Sequence, residues 1–307
     1  WLLATTLPWG ARTFLGTRNT RREPEIRMTR PPDRLIHGRV YAVCAPYPAK
    51  VDPFRKRSPA TAPAYAGWEA AGLRWLAAAT ASGGARDVDI VEVSGSTLVL
   101  DRLASVPATR AAATDFGERL ARTHAAGATA YGIGPDGWDG DGYFGPSHAV
   151  LDLALGARPI WGIHWARQRL RPIAATCEAA GTLAPGTVAD LHRVADRCEA
   201  GDFDTDDAPA RVHGDLWSGN LMWTERGVVL IDPAAHGGHR ELDLAMLALF
   251  GAPHLDQIVT AYERVSPLAA GWRERAHLHQ LYALAVHAHL FGRGYAVQTA
   301  AAARRYR

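Results

Sequence analysis

The sequence predicts an α+β protein in two unequal parts, and three observations carry that reading. Strand-like signals gather between about residues 34 and 103, helical patterns dominate beyond them, and one β-hairpin pattern near 221–231 interrupts the helices. The length of 307 residues suits two domains of ~150 residues each. A hydrophobic fraction of 48% with 21% charged residues is that of a globular chain and excludes a disordered or fibrous one. No apolar run approaches the ~20 residues of a membrane helix. No basic segment precedes the short apolar start at residues 1–3, so a signal peptide is not expected. A net charge of +3 is too small to indicate a nucleic-acid partner. The three cysteines, Cys44, Cys177 and Cys198, lack metal-like spacing. No disulfide framework is expected from them, and a reducing cytoplasm is the expected location.

In chain order, residues 1–27 carry Arg12, Arg18, Arg21, Arg22 and Arg27 without an apolar period and read as a disordered basic extension. Residues 28–103 form the smaller part. Val88-Asp-Ile-Val-Glu-Val93 alternates as a strand does, and Thr97-Leu-Val-Leu100 follows a Ser-Gly-Ser turn. One helix is expected over about 66–79. After a connector at 101–107, the larger part runs to residue 307. Thr114 or Asp115, with Glu118 following, is expected to cap a helix whose one face holds Phe116, Leu120 and His124. Further helical windows cover about 162–180, 187–199, 242–250, 255–265 and 272–291. The Gly/Asp-rich stretch 131–145 reads as a long loop of the kind that often carries function.

The chemistry lies in Val212-His-Gly-Asp-Leu-Trp-Ser-Gly-Asn220 and Val228-Val-Leu-Ile-Asp-Pro233. Residues 221–223 and 228–231 are strand-like and joined by Thr-Glu-Arg-Gly227, a hairpin with a four-residue turn. If Trp223 pairs near Val228, Asn220 and Asp232 return side by side at its open end, with Asp215 in the loop leading in. An Asn and an Asp are hard oxygen ligands suited to Mg²⁺, and a separate Asp can take a proton from a hydroxyl. That is the equipment of phosphoryl transfer. A second constellation supports it. The chain has only two lysines, Lys50 and Lys56, and Lys56 ends a strand-like segment. Glu69 shares a helix face with Leu73 and Leu76, where a carboxylate is costly unless paired, and Lys56 is the obvious partner.

The order Lys56, Glu69, connector, His213-Gly-Asp215, Asn220, Asp232 resembles the protein-kinase-like fold shared with aminoglycoside and choline phosphotransferases. More narrowly, the chain is similar to the fructosamine kinase (ketosamine-3-kinase) family. The matching words are Glu69-Ala-Ala-Gly-Leu-Arg-Trp-Leu76, His213-Gly-Asp-Leu-Trp-Ser-Gly-Asn220, Ile231-Asp-Pro-Ala234, Gly238-His-Arg-Glu-Leu-Asp-Leu-Ala-Met246 and Pro267-Leu-Ala-Ala-Gly-Trp-Arg-Glu-Arg275, with His287 and Leu290-Phe-Gly292 beyond them. The resemblance implies two lobes: a small N-terminal antiparallel-sheet lobe with one helix, which binds nucleotide, and a larger, mostly helical C-terminal lobe. It implies ATP and Mg²⁺ as cofactors. The substrate implied is a ketosamine such as a fructosamine or ribulosamine, free or on a protein lysine. Phosphorylation of the sugar, at O3, would serve deglycation.

Carried over, Asp215 would be the catalytic base, Asn220 and Asp232 the metal ligands, and Lys56 with Glu69 the phosphate-positioning pair. Asp101 to Leu103 would form the adenine hinge, and Trp217 and His287 would line the sugar pocket. His213 and Asp243 would act from behind, Asp243 by accepting backbone N–H bonds of the 213–215 loop. Two alternatives stay open: an aminoglycoside- or choline-type phosphotransferase, or a catalytically silent nucleotide-binding relative. The second is motivated by the expected phosphate loop at 33–43, where only Gly38 supplies a glycine. Asp115-Phe-Gly117 spells a kinase metal motif but precedes Asp215 instead of following it. No His pair at i,i+4 spacing occurs among His277, His279, His287 and His289, so no shared metal is expected there.

Overall fold

In the computed structural model the described residues are 52–307. The basic extension, the phosphate-loop region with Gly38, and Cys44 lie outside them.

The small lobe is built on an antiparallel sheet of β1 (Phe54–Arg57), β4 (Thr97–Leu100) and β3 (Ile90–Ser94), in the order β1-β4-β3. The pleat of β1 turns Phe54 and Lys56 inward and leaves Arg55 and Arg57 exposed. Helix α1 (Tyr65–Ala77) packs on this sheet because Ala66, Ala70 and Leu73 form one apolar stripe, which closes a core with Leu98, Leu100, Val229 and Ile231. The Ala66 N–H near its start donates to Ser58 Oγ at 2.9 Å. The helix ends earlier than the predicted residue 79, passing into a 3₁₀ turn (Ala78–Ser82) that stops at Gly83, φ +80°.

Helix α2 (Arg110–Ala125) corrects the expected start. Its cap is Thr109, whose side chain accepts the Ala112 N–H at 3.2 Å, and Asp115 lies inside the helix. There Asp115 accepts from Arg86 at 2.9 Å and Arg119 at 2.8 Å. The predicted face of Phe116, Leu120 and His124 is buried.

The large lobe surrounds α8 (Trp272–Phe291), a helix of 20 residues in which every position from Leu278 to Ala288 is buried. A helix buried on all sides belongs at the centre of a domain. Around it lie α3 (Trp161–Trp165), α4 (Arg171–Ala179), α5 (Pro185–Glu199), α6 (Glu241–Phe250), α7 (Leu255–Val265) and α9 (Arg293–Ala303). The window expected as one helix over 162–180 is split by a π turn at Ala166–Leu170. The loop 131–145 ends in β5 (Gly142–Phe144), which pairs with β6 (Leu151–Leu153). It reaches the small lobe, where Trp138 packs against Trp68 and Trp68 Nε1 donates to Tyr143 O at 2.9 Å. Among the described residues no helix is long and apolar enough to cross a membrane.

Two short sheets frame the cleft. Strand β7 (Ala210–Val212) pairs with β10 (His236–Gly238), and β8 (Leu221–Thr224) pairs with β9 (Gly227–Leu230). The β8–β9 register sets Trp223 opposite Val228 and Thr224 opposite Gly227, so the ladder closes around Glu225 and Arg226. A further strand, β2 (Arg86–Asp87), lies between α1 and β3 in the chain yet pairs in parallel with β9. The small lobe is thereby hydrogen-bonded to the hairpin of the large one.

Candidate active site

The hairpin brings three side chains to its open end. Leu221 pairs with Leu230, and the Ile231 N–H donates to Asn220 O at 3.2 Å, so Asn220 and the start of 231–233 are neighbours. Asn220 Nδ2 donates to Asp215 O at 2.7 Å and to Asp215 Oδ2 at 3.3 Å. Asp232 takes the left-handed conformation, φ +56°, which a non-glycine residue adopts only under constraint. Its carboxylate contacts Lys56 Nζ, which also donates to Glu69 Oε1 at 2.7 Å. Asp215, Asn220, Asp232, Lys56 and Glu69 all line one cleft of about 450 Å³ between the lobes, a size suited to a small-molecule ligand.

The 213–215 loop is held from behind. The Gly214 backbone has φ +81°, and a Cβ there would meet Ala234 O at 2.2 Å, so the tight turn demands glycine. Asp243, in the first turn of α6 and fully buried, accepts the His213 N–H at 2.7 Å and the Gly214 N–H at 3.0 Å. Its third donor is His124 Nε2 at 3.1 Å, whose Nδ1 lies 2.8 Å from Tyr262 Oη. His213 Nε2 donates to Ile231 O at 2.9 Å, tying the loop to the hairpin. Sequence reasoning placed Asp243 but missed His124 and Tyr262. The signal for His124 was its place on the buried face of α2; Tyr262 gave none.

The charges of the cleft are strongly coupled. Burial and the repulsion of Asp232 push the Asp215 carboxyl up to about 8, against the opposing hydrogen bond from Asn220. Burial raises Glu69 to about 7, although Lys56 beside it pulls the other way. Burial opposes the charge on Lys56, but Asp232 and Glu69 outweigh it and hold the lysine firmly protonated. The Asp243 carboxyl is kept below its ordinary range: burial works against this, and the His124 contact and the His213 amide overcome it. Among the described residues Asp215 Oδ1 is buried without a hydrogen-bond partner, an acceptor facing the cleft.

Three expected members are not among the residues that line the cleft. His287 is buried in α8, its Nδ1 donating to Ala283 O at 2.7 Å and its ring against Phe250, Phe291 and Tyr295. Phe250 separates it from Trp217, which does line the cleft. His287 thus backs the wall of the pocket and does not form it. Asp101 and Leu103 also do not line the cleft: the Asp101 N–H is used by Asp89 O at 2.9 Å, extending the sheet beyond β4, and Leu103 packs on the small-lobe core. Conversely, Tyr65, Tyr143 and His148 border the cleft without having been singled out by the sequence. The last two come from the long loop region and from the turn after β5.

The histidine question resolves into a packed network. His239, Glu241 and His279 bring ligand atoms within 4.8 Å of one another. However, Arg275 covers both Glu241 oxygens, at 2.5 and 3.0 Å, and His239 Nδ1 accepts the Glu241 N–H at 3.2 Å. The other ring nitrogen, Nε2, then carries its proton toward Thr205 Oγ1, 3.0 Å away, so no lone pair remains for a metal on that ring. Arg240 in turn donates to Ser266 Oγ at 2.7 Å and Pro267 O at 2.8 Å. The two sequence words around residues 238–246 and 267–275 are therefore one structural unit clasped by Arg240 and Arg275.

The profile of the fructosamine kinase family matches residues 44–306. A protein named as a ketoamine kinase, from Enterococcus faecium, is 43% identical over 91 residues, which is 29% of this chain and 32% of that protein. The alignment thus spans about a third of that curated relative's length. A crystal structure of a protein assigned as a fructosamine-3-kinase, from Thermobifida fusca, superposes with a TM-score of 0.74 at 41% identity, covering 83% of this chain and 85% of that one. A choline/ethanolamine kinase family protein from Mesorhizobium loti, at 14% identity and a TM-score of 0.52 over 83% of this chain and 82% of that one, shares the fold alone.

Proposed function

Because this chain belongs to the fructosamine kinase family, we propose that it transfers the γ-phosphoryl group of ATP to O3 of a ketosamine, a fructosamine or ribulosamine carried by a small amine or a protein lysine. The observation that carries the reading is the meeting of Asp215, Asn220 and Asp232 at the open end of one hairpin, opposite the Lys56–Glu69 pair, in a single cleft. In this reading residues 28–103 form the nucleotide lobe and 104–307 the catalytic and substrate lobe. The free, buried thiols of Cys177 and Cys198 suit a reducing cytoplasm.

Each residue has a task that follows from its position. Asp215, with an unpartnered oxygen in the cleft, accepts the proton of the sugar hydroxyl as the oxygen attacks phosphorus. Its raised proton affinity comes from burial and from the charge of Asp232, so any cation that neutralises Asp232 makes Asp215 a more ionised base. Lys56, held by Glu69, faces the phosphates. The donor set fits Mg²⁺: Asp232 is a carboxylate already facing a cation, and Asn220, with its Nδ2 turned to Asp215, has its oxygen left for a ligand role. Bound there, Mg²⁺ would supply neutralisation of phosphate charge. The Trp217 indole in the wall offers a flat face for the sugar. Transfer of this kind depends mainly on alignment and charge compensation, which a sparse residue set provides.

The test is incubation with ATP, Mg²⁺ and fructosyl- or ribulosyl-lysine, followed by phosphorus NMR. A new sugar phosphomonoester is expected, and Asp215→Asn should cut turnover by about 10²–10⁴-fold while nucleotide binding persists. No phosphorylated ketosamine, or full turnover in Asp215→Asn, would overturn the assignment.

A further inference from the structure

Lys56 holds two carboxylates of different character. Glu69 lies on α1 with only 3% of its side chain exposed, whereas the Asp232 side chain is 22% exposed and opens on the cleft beside Asn220. The ammonium therefore stands in front of the one metal-competent carboxylate that solvent can reach. Three carboxylates, Glu69, Asp215 and Asp232, line the cleft, and Lys56 is the cation paired with two of them; Arg55 and Arg57 border the same space but make no ion pair with any of the three among the described residues.

We infer that in the nucleotide-free protein Lys56 acts as a built-in cation that covers Asp232 against free divalent metal, so that metal enters only together with a polyphosphate. A metal ion arriving alone must displace the ammonium from Asp232 and leave it with Glu69 as its single partner, at the cost of ion–ion repulsion at close range. A metal–triphosphate brings the lysine new anionic oxygens, so its departure from Asp232 is compensated. Metal and nucleotide binding are thereby coupled, each strengthening the other by the same factor. The inference rests on the reading of Asn220 and Asp232 as the metal platform.

It makes two variants move in opposite directions. Lys56→Met removes the competitor, and Glu69, already biased toward its protonated form by burial, remains as a neutral acid. Glu69→Gln keeps the lysine but leaves Asp232 as its only ionic partner, tightening the cover. Mn²⁺ alone, without nucleotide, is the probe, its bound fraction read by electron paramagnetic resonance on the full chain. Lys56→Met should bind Mn²⁺ about tenfold more tightly than the parent, and Glu69→Gln several-fold more weakly. The gain in Lys56→Met must vanish when Asp232→Asn is added. Unchanged or weaker Mn²⁺ binding in Lys56→Met, or tighter binding in Glu69→Gln, overturns the inference; should Lys56→Met fail to fold, the Glu69→Gln result decides. Mn²⁺ binding that survives Asp232→Asn in every background would instead remove the metal platform itself, a separate failure.

Discussion

Replacing Asp243 by Asn tests how the 213–215 loop is held. The carboxylate spends Oδ2 on the His213 N–H and His124, and Oδ1 on the Gly214 N–H. An amide has one acceptor. In the better rotamer its oxygen keeps the first two donors and its NH₂ faces the Gly214 N–H, donor against donor. One buried amide left without an acceptor costs about 1–3 kcal/mol, and two charge-assisted bonds become neutral ones at roughly half the strength. The sum is about 3 kcal/mol, a large share of the 5–15 kcal/mol that typically holds a domain together. Urea denaturation at neutral pH should show this as a lowered midpoint with an unchanged slope. The sign of the pH dependence adds a check. The Asp243 carboxyl is held below its ordinary range in the folded state, so its contribution is present above the unfolded value of about 4 and is lost as pH falls through the folded one. The gap between parent and variant should therefore narrow in acid. A loss below about 1 kcal/mol, or a gap independent of pH, would mean that these three hydrogen bonds do not secure the loop.

Three further outcomes follow from two other residues. Since Asp215, the proposed base, is raised to about 8 while Asp232 carries no metal, kcat/KM for ATP·Mg²⁺, which reports the enzyme before metal binds, should climb with pH through that region, and a profile flat from pH 6 to about 9 would argue against it. The same raised value means that Asp215 costs stability progressively as pH climbs from its unfolded value of about 4 to about 8, so the Tm of Asp215→Asn relative to the parent should be higher at about pH 9 than near pH 4, by calorimetry. Gly117→Ala should lower stability by about 2 kcal/mol despite the better helix former, and Tm by about 5 °C. A Cβ at Gly117 would lie 2.2 Å from Ile258 O, where α2 and α7 touch; a rise in Tm would show that the helices can separate freely.

Much of this site was legible because it is local. The hairpin register follows from alternation on either side of one turn, and that register alone delivers Asn220 next to Asp232. The contact of Lys56 with Glu69 follows from a carboxylate sharing a helix face with leucines. What stayed hidden was non-local or stereochemically quiet. Strand β2 is two polar residues, Arg86 and Asp87, and its parallel partner lies far along the chain, so no periodicity announces it. The start of α2 sits in an alanine-rich stretch where Thr114 and Asp115 drew the cap expectation, whereas the capping hydrogen bond is made by Thr109. The π turn that divides residues 162–180 leaves the apolar pattern nearly intact. The place of His287 was not legible either: its Nδ1 bonds Ala283 O one turn back on its own helix and its ring meets an aromatic cluster, contacts that its sequence word does not announce.

The pairing of β2 with β9 has a mechanical outcome. The Val88 N–H donates to Leu230 O at 3.0 Å, two residues before Asp232, so the lobes are stitched at the inner edge of the cleft. Arg57 and His148 line the same cleft. Asp232 therefore sits two residues from a backbone bond between the lobes, and its place in the cleft is tied to that of β2.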